Sequence, residues 1–165
     1  MNIHPHAKRA IYLGVLVALA DQLSKWWLVN SLMRPPHVEP VTPFLNLVLV
    51  HNKGVTFGLL NTVDNNNSPH LHHYMPYLLT ACAAVILILL GRWLLKTTSQ
   101  PVAIGLGLVM GGAFGNLVDR LRDGAVIDFL DFYYRDYHWY AFNIADAGIV
   151  VGVSLLILDS LLRAR

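Results

Sequence analysis

Charge is what this sequence has least of. Lys, Arg, Asp and Glu together make up 13% of its 165 residues, and 55% are hydrophobic. A soluble domain typically carries about 25% charged residues, so the shortage points to a membrane protein. The net charge is only +2 and no basic cluster exceeds two adjacent residues. That is too little to suggest nucleic-acid binding. Cysteine is reduced to Cys82 alone, in an apolar run. It forms no internal disulfide, reads as a small core residue and says nothing about compartment. No HExxH zinc helix and no GxSxG nucleophile elbow occur. His70, His72 and His73 fall in the loop segment "PHLHHY" without a nearby acid pattern, so no metal site is expected there. Cys82 is mid-span with no local base, which argues against a nucleophile. There are no repeats and no domain boundaries, so 1–165 reads as a single integral membrane domain.

What is present is long apolar runs. Ala10–Val29, Tyr74–Leu95, Val102–Val118 and Ala141–Leu158 each approach the length that crosses a bilayer. About 20 residues are needed for a hydrocarbon core of about 30 Å, and without water there the backbone must be helical. Lys8 and Arg9 precede the first run, Arg92 and Lys96 end the second, and Arg163 and Arg165 follow the fourth. The opposite loops mix Arg34, Lys53, Arg120, Arg122 and Arg135 with acids over longer stretches. The positive-inside rule then puts both termini in the cytoplasm. Trp26, Trp27, Trp139 and Tyr140 mark the outer interface and Trp93 the inner one. A rival reading exists. "HAKRAIYLGVLVALAD" resembles a cleavable signal peptide, whose removal would leave three spans.

Two extracytoplasmic pieces remain, 31–73 and 119–140. Within the first, "PFLNLVLVHNKGVTFGLL" is apolar but too short to span, and reads as a strand hairpin turning at Gly54. The second contains "GAVIDFLDFYY", where Asp128 and Asp131 sit among Val, Ile, Phe and Tyr. It reads as an interfacial loop or helix. The expected fold is therefore a membrane all-α, four-transmembrane-helix bundle with a small extracytoplasmic β-sheet and an interfacial loop or helix. Gly107, Gly111 and Gly115 repeat every four residues, with Gly105 and Gly112 beside them, and Gly148 and Gly152 do the same on the last run. Small-xxx-small spacing lets helices pack closely in lipid.

The polar residues of the spans converge. Helices 1 and 3 run outward and helix 4 inward. Asp21, Ser24, Lys25, Asn116, Asp119, Arg120, Asn143 and Asp146 then fall at one level near the outer boundary. Asp146 lies roughly 6–9 Å below it, at 1.5 Å rise per residue. Asp21 and Lys25 have the i,i+4 spacing of a salt bridge. Intramembrane ionisable groups are expensive and point to function, although a partner such as Lys25 or Arg120 would give Asp146 a structural role. The 119–140 loop can bring a carboxylate to Asp146. Two carboxylates sharing one site hold one proton between them, which suits acid–base hydrolysis without metal or cofactor. A proton-coupled carrier would need deeper acids and a polar path inward. A non-catalytic scaffold would leave the clustered acids and asparagines unexplained.

The blocks "DQLSKWW", "HNKGVTFG", "GGAFGNLVDRLRDGAVIDFLDF" and "FNIADAG" occur in the order found in the lipoprotein signal peptidases, or signal peptidase II. The chain resembles that family from about residue 10 to 160. The resemblance implies a bacterial inner-membrane aspartic endopeptidase with cytoplasmic termini and a site facing the periplasm. It implies cleavage of a prolipoprotein immediately before a diacylglyceryl-modified cysteine. Its partners would be that substrate and membrane lipids, with no cofactor, no metal, no nucleic acid and no obligate protein partner. It assigns Asp128 and Asp146 as the catalytic pair. Asp21, Lys25, Asn52, Gly54, Asn116, Asp119, Arg120 and Asn143 take substrate-binding or supporting roles. Asp131 is not a fixed element of the pattern and reads as the polar face of an interfacial turn. Ala147 and Tyr140 depart from the usual residues, which touches only local hydrogen bonding.

Overall fold

Backbone amides inside hydrocarbon must bond within their own segment, and the apolar runs of this chain accordingly form α-helices. The computed structural model describes residues 4–33, 37–54 and 69–163, without the side chains of 69–75. In chain order the elements are α1 (Pro5–Trp27), a π-helical turn (Leu28–Leu32), β1 (Glu39–Thr42), β2 (Leu45–Asn52), α2 (Pro69–Lys96), α3 (Gln100–Asp123), β3 (Val126–Tyr134), β4 (Tyr137–His138) and α4 (Ile144–Arg163). Of the described helices, α2 from Pro76, α3 and α4 are long and apolar enough to cross a membrane. α1 is also long, and carries Lys8, Arg9, Asp21 and Lys25. Large apolar side chains such as Ile88, Leu89, Val150, Val151, Ile157 and Leu158 are exposed on the helices. Lipid, not water, is the solvent that suits such surfaces. Cys82, expected in the core, is exposed on α2, because that helix buries little of its circumference. His70, His72 and His73 belong to α2, which starts earlier than the expected Tyr74.

The described residues sort into two compact units. One comprises the described parts of Met1–Asp21, Cys82–Leu117 and Ile144–Arg165. Its core is made of small residues and leucines: Ala7 and Ala10 of α1, Leu94 of α2, and Ala103 and Leu106 of α3. The glycines of α3 serve two neighbours. A Cβ on Gly107 would stand 2.4 Å from the Ala10 carbonyl oxygen, and one on Gly111 2.4 Å from that of Gly14, both on α1. A Cβ on Gly112 would stand 2.2 Å from the Ala145 carbonyl oxygen of α4, and one on Gly152 of α4 2.6 Å from the Gly105 oxygen. The helix backbones touch directly at these positions, which is what small residues allow in a membrane protein.

The other unit comprises the described parts of Gln22–Ala81 and Val118–Asn143. It holds an antiparallel sheet of order β1-β2-β3-β4. The stretch expected as an interfacial loop or helix is strand β3, and here the expectation is corrected. Gly124 (φ +68) ends α3, its N–H donating to the Arg120 carbonyl at 3.1 Å. This is the left-handed cap that glycine favours. Beyond it, Val126, Ile127, Phe129, Phe132, Tyr133 and Tyr134 are β-branched or aromatic and fit a pleated surface. The second half of the expected Gly54 hairpin lies outside the described residues. Among the described residues β2 pairs with β1 and β3.

A strand puts Asp128 and Asp131 on opposite faces. β2 also carries a bulge, since its pairing with β3 shifts between Leu47 and Val50. Asn46 and Asn52 are an even number of residues apart and would share a face in a regular strand. The extra residue separates them. Asn46 Nδ2 donates to Asp131 Oδ2 at 3.1 Å, and Asn52 serves Asp128 on the other face. Asp131 also bonds His138 Nδ1 of β4 at 2.8 Å. It is only 7% exposed, so it is a buried tie between β2, β3 and β4 and not the polar face of a turn.

Three substitutions are informative by thermal unfolding in detergent. Gly111→Ala must push α1 from α3 and is expected to destabilise by about 1–3 kcal/mol. Gly91→Ala, whose Cβ would meet only Met110 Cε at 3.7 Å, is expected to be neutral or stabilising. Asp131→Ala strands the buried Asn46 amide and is expected to destabilise by about 1–3 kcal/mol. Faster proteolysis within 134–139 would accompany it as β4 loosens.

Candidate active site

The residues singled out in the sequence divide between the two units. Asp21, Asn116 and Asp146 belong to the first; Lys25, Asn52, Gly54, Asp119, Arg120, Asp128 and Asn143 belong to the second.

In the first unit, Asp146 sits in the first turn of α4 and is 6% exposed. Asn116, near the end of α3, donates its Nδ2 to Asp146 Oδ1 at 2.9 Å. Asp21, fully buried on α1, accepts the Ala145 N–H at 3.0 Å. That N–H is one of the unsatisfied donors at a helix start, where negative charge is favoured. Gly115 makes room, since a Cβ there would lie 2.7 Å from Asp21 Oδ2. Asp21 is therefore a cap for α4, and it fixes the turn that carries Asp146.

In the second unit, Asp119 at the end of α3 is fully buried and collects three donors. Lys25 Nζ lies 2.7 Å from its Oδ2, Gln22 Nε2 donates to Oδ1 at 2.7 Å, and the Ile127 N–H donates to Oδ2 at 3.3 Å. This joins α1, α3 and the start of β3. Lys25 is 1% exposed, so its charge is buried with its counter-ion. Such a pair is costly to break, because each member would leave the other uncompensated.

Asp128, on β3, is 2% exposed and is held by two amides. Asn52 Nδ2 donates to Oδ2 at 2.9 Å and Asn143 Nδ2 to Oδ1 at 2.7 Å. Each amide is itself oriented. Asn52 Oδ1 accepts the Gly54 N–H at 2.9 Å in an Asx turn. Asn143 Nδ2 also donates to the Ile127 carbonyl at 3.2 Å, so both of its hydrogens are used. The strand-like bridge between Phe142 and Leu130 fixes the residue before Asn143. Arg120 Nη2 donates to the Gly54 carbonyl at 3.1 Å and secures the end of the Asn52 turn.

Three contributors were not singled out in the sequence: Gln22, Asn46 and His138. Gln22 stands three residues before Lys25, on the same helical face, which is a usable signal. Asn46 and His138 meet Asp131 through sheet pairing, for which no local signal exists. Among the described residues, no group of three His, Cys, Asp or Glu side chains is placed to hold a metal ion.

Asparagine amides thus hold Asp146 in the first unit and Asp128 in the second, while Asp21 caps α4 and Asp119 pairs with Lys25. Comparison with known proteins gives these residues a context. Residues 13–162 match the family model described as signal peptidase (SPase) II. A lipoprotein signal peptidase of Shewanella amazonensis is 42% identical over 162 residues, covering 97% of this chain and 91% of that protein. One from Coxiella burnetii is 40% identical over 154 residues, covering 92% and 89%. A solved bacterial membrane enzyme superposes with a TM-score of 0.78 at 28% identity, covering 93% of this chain and 88% of the other. A second gives 0.76 at 27% identity, covering 93% of each. A likeness that runs through α1, the sheet and α4 alike places this chain in the signal peptidase II family.

Proposed function

We propose that this protein removes the signal peptide from diacylglyceryl-modified prolipoproteins, cutting just before the lipidated cysteine, with Asp128 and Asp146 as its catalytic pair. The observation that carries the assignment is how the carboxylates are held. Asp119 is locked to Lys25, whereas Asp128 is positioned by the amides of Asn52 and Asn143, and Asp146 by that of Asn116. Asn143, which grips Asp128, stands three residues before Asp146 in the chain.

In this reading one carboxyl is ionised and takes a proton from the attacking water. The other is protonated and polarises the scissile carbonyl, then the proton passes to the leaving amine. Water adds to the carbonyl carbon, the C–N bond breaks, and an acid and an amine result. Asn116 and Asn143 orient the pair. The chain crosses the bacterial inner membrane four times, with α1 as the remaining span and both termini cytoplasmic, so that the site faces the periplasm. The substrate's signal helix and acyl chains then arrive laterally through lipid, and the scissile bond rests where water is available.

Cleavage of a diacylated lipobox peptide by the purified protein tests this. Asp128→Asn and Asp146→Asn are each expected to lower kcat on the order of 10³-fold or more. Each should cost no more than about one hydrogen bond of stability, ~1 kcal/mol. Turnover near the parent's by either variant refutes the assignment. Lys25→Met behaves in the opposite way: it leaves the Asp119 charge buried alone and is expected to destabilise by about 3–5 kcal/mol. Lys25→Met/Asp119→Leu should recover much of that stability, as measured by thermal unfolding.

A further inference from the structure

Far along α3 from Asp119, a cavity of about 590 Å³ opens where α2 ends, α3 begins and α4 ends, all within the first unit. Its size is that of a small-molecule site. Its lining is unlike the rest of the helical surface. Lys96 closes α2 and Arg163 closes α4, and hydroxyls from Ser99 and Ser160 stand with them. One carboxylate, Asp159, also lines it. That carboxylate already has a partner, since Arg163 Nε lies 2.8 Å from its Oδ2. The same guanidinium donates through Nη2 to Ser99 Oγ. Arg163 is therefore fixed by two contacts, with its Nη1 donors uncommitted to either. Lys96 is exposed, and among the described residues it has no hydrogen-bond or ion-pair partner. Two cations against one carboxylate leave the cavity with a net charge of +1, the complement of one phosphodiester.

The rest of the lining says what carries that phosphate. Trp93 and Leu156 also border the cavity, and Trp93 is 47% exposed. Half-exposed tryptophan beside lysine and arginine at the end of a spanning helix is the composition of a membrane interface. A soluble anion has no use for the apolar part of the wall, whereas a phospholipid fills it with its glycerol and upper acyl carbons. We infer that this cavity binds the phosphate headgroup of an anionic phospholipid, in the leaflet that holds the α2–α3 turn. Lys96 and Arg163 supply the charge, Ser99 and Ser160 the neutral donors, and Trp93 and Leu156 the apolar contact. The site is remote in sequence from Asp128 and Asn52, and its occupancy does not depend on peptidase activity.

Native mass spectrometry of the full chain, released from detergent micelles with added lipid, measures this directly. Phosphatidylglycerol is expected to be retained in one copy, in preference to phosphatidylcholine. Lys96→Gln is expected to weaken that retention about fivefold, the worth of one cation near a lipid surface, and Lys96→Arg to preserve it. Lys96 has no partner to lose, so the thermal midpoint of Lys96→Gln should match the parent's. Arg9→Gln, which removes an exposed charge of α1 outside the cavity lining, should retain lipid normally. Equal retention of the two lipids overturns the inference, as does unchanged retention in Lys96→Gln. Loss of retention in Arg9→Gln reduces the effect to general surface charge and also overturns it. Displacement of the lipid by millimolar inorganic phosphate would make the cavity a site for a free anion instead.

Discussion

A carboxylate taken out of water must be given donors, and that requirement organises this fold. Asp21, Asp119, Asp128, Asp131 and Asp146 are all buried, with Lys25 as the buried cation among the described residues. Leaving any one of them without donors would cost more than most single packing contacts supply. Each carboxylate therefore draws separate pieces of chain together. Asp119 gathers α1 and the start of β3 onto the end of α3. Asp21 takes the first turn of α4. Asp131 ties β2 to β4 across β3. The hydrophobic effect can bury the outer surface of these helices only in lipid, so polar satisfaction and close backbone packing carry the specificity inside.

The packing and the polar network share one helical stripe. On α1 and the π-helical turn that continues it, the buried positions through Leu28 are Ala7, Ala10, Gly14, Asp21, Lys25 and Leu28. They alternate three and four residues apart, with Val17 filling the gap, the period that keeps one face toward a partner. Where the stripe is Ala and Gly, the α3 glycines approach to backbone contact. Where it becomes Asp21, Gly115 leaves the space that the carboxylate fills. The close approach set by Gly107 and Gly111 is thus what lets a short side chain such as Asp21 reach the start of α4. A larger residue at Gly111, which faces Gly14, would act on Asp21 from about two helical turns away.

Much of this was legible in the sequence because it is local. The helices announce themselves by length and apolarity, and the glycine spacing by its repeat. Asp21 and Lys25 stand out as charges in an apolar run. Helix ends were less legible: α3 continues to Asp123, since Arg120 and Arg122 are good helix formers and only Gly124 stops it. Strand β3 is less legible, because two aspartates three residues apart fit one helical face while their β-branched and aromatic neighbours favour a strand. The ties of Asp131 to Asn46 and His138 depend on which strands pair. The Asn46 partner lies 85 residues away in the chain, and no local pattern encodes such a choice.

The bulge in β2 shows why the two aspartates of β3 have different asparagine partners. Without it, Asn46 and Asn52 would point the same way, and one face of the sheet would hold both amides while the other held none. With it, each aspartate receives an asparagine, and Asp131 adds a histidine. An amide N–H donates to a carboxylate and to the carbonyl oxygen of a carboxylic acid alike. It fixes where the oxygen sits in either state. A lysine at 2.7 Å, as on Asp119, instead ties its carboxylate into a buried ion pair that is costly to break. Acid–base chemistry requires a group that changes protonation while staying in place. In the proposed assignment, the asparagines on Asp128 and Asp146 meet that requirement, each within its own unit.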